Sequence, residues 1–185
     1  MKMNVVKTKT IVHKDLLDRC QWGDPKAQKE IYTLYYKAMY NTSLYITKNE
    51  VEAEDIMQEA FLKAFKLLPS VNLESGFGGW LKKIVVNKSL DAVRKQKIHF
   101  EQVEEIKDSS VESDTFEDSG ESISEKIARI KLAMSELPEK YRIVLSLNLL
   151  EGYDHDEIGS ILGITASTSR AQLSRGKQKL MLLLN

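Results

Sequence analysis

Between Glu50 and Leu68 apolar side chains return at every third and fourth position: Ile56, Met57, Ala60, Phe61, Ala64 and Phe65. That period predicts a helix with one buried stripe. Asp55, Gln58, Glu59, Leu62 and Lys63 then fall on the opposite face. Pro69 closes the helix because it cannot continue the hydrogen-bond ladder. A Gly-containing loop, Leu73 to Gly79, leads to a second helix from Trp80 to about Lys97. There Leu81, Ile84 and Val85 point one way, and Lys83, Asn87, Asp91 and Arg94 line another face. Upstream, Asp24-Pro25 has the form of an N-cap followed by proline at the first helical position.

The last third of the chain carries the same helical period, with sharper punctuation. Leu137-Pro138-Glu139 starts a helix that carries Val144, Leu145, Leu147 and Leu149 up to Gly152. Asp154 and Glu157 form a capping-box pattern for a short helix, Asp156 to Leu162, ended by Gly163. After Ile164-Thr165 a longer helix runs from Ala166 to about Leu184, with Ile164, Leu173 and Leu180 expected to be buried. Two short helices, a glycine turn and a longer basic helix predict a helix-turn-helix.

Between these blocks the pattern vanishes. Residues 100–122 hold few large apolar side chains and much Ser, Asp and Glu, a composition that cannot offset the entropy of ordering. The formal net charge is zero, but its distribution is uneven. Residues 1–97 carry 17 basic against 11 acidic side chains, residues 98–125 one against ten, and residues 126–185 nine against six. The expected fold class is therefore all-α: two small helical domains, 10–98 and 123–185, joined by an acidic flexible linker, 99–122. Only three prolines and nine glycines interrupt the 185 residues, too few turn formers for a strand-rich fold. Cys20 is the sole cysteine, so neither an internal disulfide nor a cysteine zinc site can form. No run approaches the roughly 20 apolar residues that span a bilayer. A soluble, cytoplasmic protein without membrane insertion is expected.

Candidate chemistry concentrates on three helix faces. At the start of the last helix, Thr165 is placed to cap and to leave free amides toward a phosphate. Ser167, Thr168, Arg170, Ala171 and Ser174 share its outer face, with Arg175 and Lys177 beside them. Small polar residues plus arginine suit the major groove, where arginine pairs with guanine and a methyl group meets thymine. Arg175 and Lys177 suit phosphates. A helical hairpin with a solvated basic face is the plainer alternative. The acidic and amide row of Asp55, Gln58 and Glu59 repels DNA and suits a basic protein partner, although an ordinary solvated face has the same composition. Phe77 and Trp80, beside Lys82, Lys83 and Lys88, fit stacking on single-stranded bases, and fit a core equally. His13, His99 and His155 are mutually isolated, and no phosphate-cradling glycine motif or nucleophilic triad is present. No active site, metal or cofactor is expected.

Taken together these segments resemble the extracytoplasmic-function sigma factors of bacterial RNA polymerase. Ala53-Glu54-Asp55-Ile56-Met57-Gln58-Glu59-Ala60-Phe61-Leu62-Lys63-Ala64-Phe65 resembles the family's clamp-binding helix. Phe77-x-x-Trp80-Leu81-x-x-Ile84-x-x-Asn87-x-x-x-Asp91-x-x-Arg94 resembles its −10-reading region. Leu137-Pro138, Gly152-Tyr153 and Glu157-Ile158 through Gly163-Ile164 resemble the start of its −35-reading domain. Ser169 stands where the family often has an apolar residue, and Gln172 where it often has a basic one. The resemblance implies that Asp55, Gln58, Glu59, Leu62 and Lys63 dock on core polymerase. It implies that Phe77, Lys83, Asn87, Lys88 and Arg94 contact a partly single-stranded −10 element, and that the helix from Ala166 reads a duplex −35 element. It implies a linker lying near the RNA path as a mimic of nucleic acid, and an anti-sigma protein as a further partner. A stand-alone helix-turn-helix regulator leaves the acidic row unexplained. A helical adaptor leaves the Arg, Ser and Thr pattern unexplained.

Overall fold

The computed structural model describes residues 12–71, 73, 76–101 and 122–184. Most of the expected acidic linker lies outside the described residues. Among those residues every regular element is helical, and they form two compact units, one drawn from residues up to 43 and 49–89, the other from residues 44–48 and those from 90 onward.

The first unit opens with α1 (Lys14–Gln21), which buries Leu17 and Cys20. Asp24 caps α2 (Pro25–Thr47) as expected: its Oδ1 accepts from the backbone N–H of Lys26 at 2.9 Å and of Ala27 at 3.4 Å. A helix start leaves such amides without intrahelical partners. Arg19 Nε donates to Asp24 Oδ2 at 2.8 Å. That bond, followed by the one from Lys26, holds the Asp24 carboxyl below its ordinary pKa.

Next, α3 (Glu50–Leu67) buries Ala53, Ile56, Met57, Ala60, Phe61 and Ala64, the expected stripe lengthened by one residue at its start. Phe65 is half-buried. Pro69 sits in a single 3-10 turn, Leu68–Ser70.

Helix α4 (Phe77–Glu101) departs from expectation at both ends. It begins three residues before Trp80 because Gly76, at φ 80°, turns the chain so that its carbonyl accepts from Trp80 N–H at 3.2 Å. The glycines expected to form loop therefore lie in the first helical turn. Gly78 has a further reason to be glycine: a Cβ there would stand 2.8 Å from Cε1 of Tyr35. At its other end α4 continues to Glu101, into the first positions assigned to the linker.

In the second unit, Ser122 and Glu125 form a capping box that starts α5 (Ile123–Glu136). The pattern had not marked this helix, since most of its residues are exposed and only Ala133 and Met134 are buried. Helix α6 (Glu139–Leu145) is buried almost throughout. It does not continue regularly to Gly152. A π turn over Ser146–Leu150 replaces the last stretch, with Glu151 N–H donating to Ser146 O at 3.1 Å. The wider turn shifts the register, so Leu147 is buried whereas Leu149 and Leu150 are exposed.

Arg142 lies inside this apolar run and is only 6% exposed. It donates through Nε to Tyr45 O at 3.1 Å, through Nη2 to Ile46 O at 3.1 Å, and through Nη1 to Leu137 O at 3.3 Å. Tyr45 and Ile46 belong to the last turn of α2, whose carbonyls have no intrahelical donors.

The unit ends in α7 (His155–Leu162) and α8 (Ala166–Leu184). Both halves of the expected capping box form: Asp154 Oδ1 accepts from Glu157 N–H at 2.8 Å, and Glu157 Oε2 accepts from Asp154 N–H at 3.0 Å.

Candidate nucleic-acid and protein interfaces

The turn between α7 and α8 fixes the orientation of the last helix. Gly163 ends α7 in the left-handed region, at φ 71°. Thr165 Oγ1 then accepts from Thr168 N–H at 3.1 Å, so the expected cap of α8 is present. Gly159 lets α7 and this turn meet, since a Cβ at Gly159 would lie 2.7 Å from the backbone oxygen of Ile164. Alanine would gain up to about 1 kcal/mol in helix propensity. The collision outweighs this because a backbone carbonyl cannot swing aside as a side chain can. Gly159→Ala is expected to destabilise the protein by a net of about 1–2 kcal/mol. Urea unfolding measures this, and an unchanged or raised midpoint refutes it.

The inner face of α8 is set by Ser169, Leu173 and Gly176, all buried. Gly176 admits Leu145 and Tyr141, which its Cβ would meet at 3.0 and 3.2 Å. Ile164 and Leu180, expected to be buried, are half-buried. Opposite the inner face, Ser167, Ala171 and Ser174 are exposed, flanked by Arg170 and Lys177 on one side and by Thr168 and Arg175 on the other. All seven side chains are therefore accessible on one outward surface.

Ser169 departs from the apolar residue common in the resembled family, and the structure accounts for it. Its hydroxyl is buried and lies 2.9 Å from His155 Nδ1. His155 thus ties the start of α7 to α8, a contact between residues 14 apart that no local period reveals.

On α3, Asp55, Gln58, Glu59, Leu62 and Lys63 are all exposed on one face, with Leu62 at 70%. On α4, Lys83, Asn87 and Arg94 are exposed along one stripe. Arg94 Nη1 lies 3.3 Å from Asp91 Oδ1, and its Nη2 donates to Ile161 O at 3.2 Å.

Of the two readings left open for Phe77, the free chain shows the core one. Its ring is 2% exposed and packs between Tyr35 at 5.4 Å and Trp80 at 6.0 Å, so in the free chain it belongs to the core. The beginning of α4 inside the supposed loop is what turns it inward. Trp80 is half-buried. Lys88 is partly covered and pairs with Glu59 across α4 and α3, with Nζ 2.5 Å from Oε2. These two residues were expected to serve different partners. Among the described residues, no group of three or more His, Cys, Asp or Glu is arranged to hold a metal ion, and no helix is long and apolar enough to cross a membrane.

Two family profiles match the chain: Sigma-70 region 2 over residues 31–98 and Sigma-70 region 4 over residues 127–180. The all-helical fold and these two matches define a transcription initiation factor of the sigma-70 class. SigM of Bacillus subtilis, an ECF RNA polymerase sigma factor, is 31% identical over 159 residues, covering 84% of this chain and 94% of that one. SigW of the same organism is 29% identical over 85% of this chain and 89% of its own. The ECF sigma-E factor of Escherichia coli is 29% identical over 88% and 89% respectively. The chain belongs to the extracytoplasmic-function family of RNA polymerase sigma factors. Its fold is similar to that of sigma factor RpoE from Bartonella quintana, solved with the anti-sigma factor NepR (TM-score 0.57, 20% identity, 84% of this chain and 95% of that one). It is also similar to that of CnrH, solved with the cytosolic domain of CnrY (TM-score 0.55, 19% identity, 92% and 95%).

Proposed function

We propose that this sigma factor divides promoter recognition among three helix faces, with residues 10–98 and 123–185 as its working domains and residues 99–122 as the strap between them. The α3 face of Asp55, Gln58, Glu59, Leu62 and Lys63 docks on a basic surface of core polymerase. The α4 stripe of Lys83, Asn87 and Arg94, joined by Lys88, holds the partly single-stranded −10 element. Helix α8 enters the major groove of the −35 element. There Arg170 reads a base, while Ser167, Thr168, Ala171 and Ser174 meet base edges. Arg175 and Lys177 hold phosphates, and the capped helix start at Thr165 faces another. The protein catalyses no reaction itself; it works in the cytoplasm and leaves the polymerase during elongation. The similar RpoE was solved with the anti-sigma factor NepR, and an anti-sigma protein is proposed as this chain's further partner.

The observation that carries this reading is the α8 surface, where seven polar, small or basic side chains stand opposite a buried stripe of Ser169, Leu173 and Gly176. The test is co-elution of the full chain with core polymerase, followed by promoter-dependent transcription. Co-elution with new specific transcripts supports the reading. DNA binding by the chain alone, with no affinity for a competent core, overturns it in favour of an independent regulator. Within the holoenzyme, Arg170→Ala should flatten the preference at one −35 position by about 1–3 kcal/mol. Competition among single-base promoter variants measures this, and an unaltered preference at every position removes Arg170 from base reading.

A further inference from the structure

Glu59 lies on the face assigned to the polymerase and Lys88 on the helix assigned to DNA, yet the two form an ion pair: Lys88 Nζ stands 2.5 Å from Glu59 Oε2. The two ends of the pair differ in access. The carboxylate side chain is 65% exposed and the lysine side chain 29%, so an approaching basic surface reaches Glu59 first. While the pair holds, Lys88 cannot fully serve a phosphate, because its ammonium already faces a carboxylate. A cationic partner on Glu59 competes for that same carboxylate and leaves the ammonium to turn toward an anion.

We propose that the Glu59–Lys88 pair couples polymerase docking to DNA binding: a basic group of core polymerase takes Glu59, and the released Lys88 takes a backbone phosphate of the −10 strand. This rests on the assignment of α3 and α4 made above and adds a reason for their order of action. One exposed ion pair can hold back only a modest part of the affinity, about three- to fivefold. Lys88 is thus a coupling residue; Lys83 and Asn87 carry the basal grip, with a share from Arg94, whose guanidinium also faces Asp91 Oδ1 and Ile161 O.

The test uses the full-length protein without polymerase and a fluorescein-labelled oligothymidylate, read by anisotropy across a salt series. Glu59→Gln should bind about three- to fivefold more tightly than wild type. Its log–log salt slope should steepen by about 0.7, one further phosphate contact on a single strand. Asp55→Asn removes the same charge from the same face without touching Lys88, and should gain less than twofold. In a Lys88→Gln background the gain from Glu59→Gln should vanish. Equal gains from Glu59→Gln and Asp55→Asn, or a gain that survives Lys88→Gln, overturn the coupling and leave only a general field effect. Loss of wild-type binding in Arg94→Gln and Lys83→Gln keeps the DNA assignment of α4 intact, so a coupling failure then stands alone. Absence of binding by wild type and all variants at low salt overturns the DNA assignment, and the coupling with it.

Discussion

Arg142→Ala is expected to cost about 3–4 kcal/mol of folding stability. The guanidinium is buried and makes its hydrogen bonds to three carbonyls and to no carboxylate. Burial lowers the pKa of the Arg142 side chain, with Glu139 opposing, yet a guanidinium remains charged throughout the working pH range. Its charge is offset by carbonyl dipoles at the negative end of α2. Alanine leaves Tyr45 O, Ile46 O and Leu137 O to find other donors, at about 1–3 kcal/mol for each that stays dry, and removes the packed stem as well. Relief of the buried charge's desolvation offsets part of this. Arg142→Met separates the contributions because it keeps the stem and removes only the fork. If the hydrogen bonds dominate, methionine should recover less than half of the loss in urea unfolding. A methionine variant as stable as wild type shows instead that desolvation cancels the bonds, leaving Arg142 with a packing role.

Arg142 also marks where a local pattern stops being informative. The run Tyr141, Ile143, Val144 and Leu145 identifies α6 as core, but nothing nearby says that the arginine inside it caps a helix nearly a hundred residues earlier. His155 and Ser169 fail for the same reason, since each side chain has a local explanation and the bond joins two helices. What was legible followed from chemistry confined to about one turn: the Asp24 cap, the α3 stripe, the Asp154–Glu157 box, the left-handed Gly163 and the Thr165 cap. The outward face of α8 was legible because its period is unbroken from Ser167 to Lys177. For Phe77 the residues left core and base stacking equally open, because glycine neighbours suggest a loop, whereas Gly76 alone makes the turn and Gly78 accommodates the Tyr35 ring inside a helix. The helix expected to run regularly to Gly152 instead changes period after Leu145, because a π turn over Ser146–Leu150 follows with no proline or glycine to announce it.

Reversing charge at Asp55 and Glu59 together, each to lysine, is expected to weaken binding to core polymerase by on the order of 100-fold or more, with the fold intact. Both side chains are exposed in the free protein, so their removal exposes no core. The stability at risk is that of a surface ion pair with Lys88, and the thermal midpoint should shift by no more than about 4 °C. At an interface the same groups lose water and face opposite charge, where truncation alone can cost tens- to hundreds-fold and reversal adds repulsion. The response should be graded: wild type tightest, Asp55→Asn with Glu59→Gln intermediate, the double lysine variant weakest. Salt should narrow the gap between the first two, since a screened attraction loses most where it was strongest. Co-elution and titration against core polymerase at two ionic strengths measure both quantities, with circular dichroism as the check on folding. A folded double lysine variant that binds core as tightly as wild type removes α3 from the polymerase interface. The coupling proposed for Lys88 then loses its trigger as well, because Glu59 would meet no competing cation.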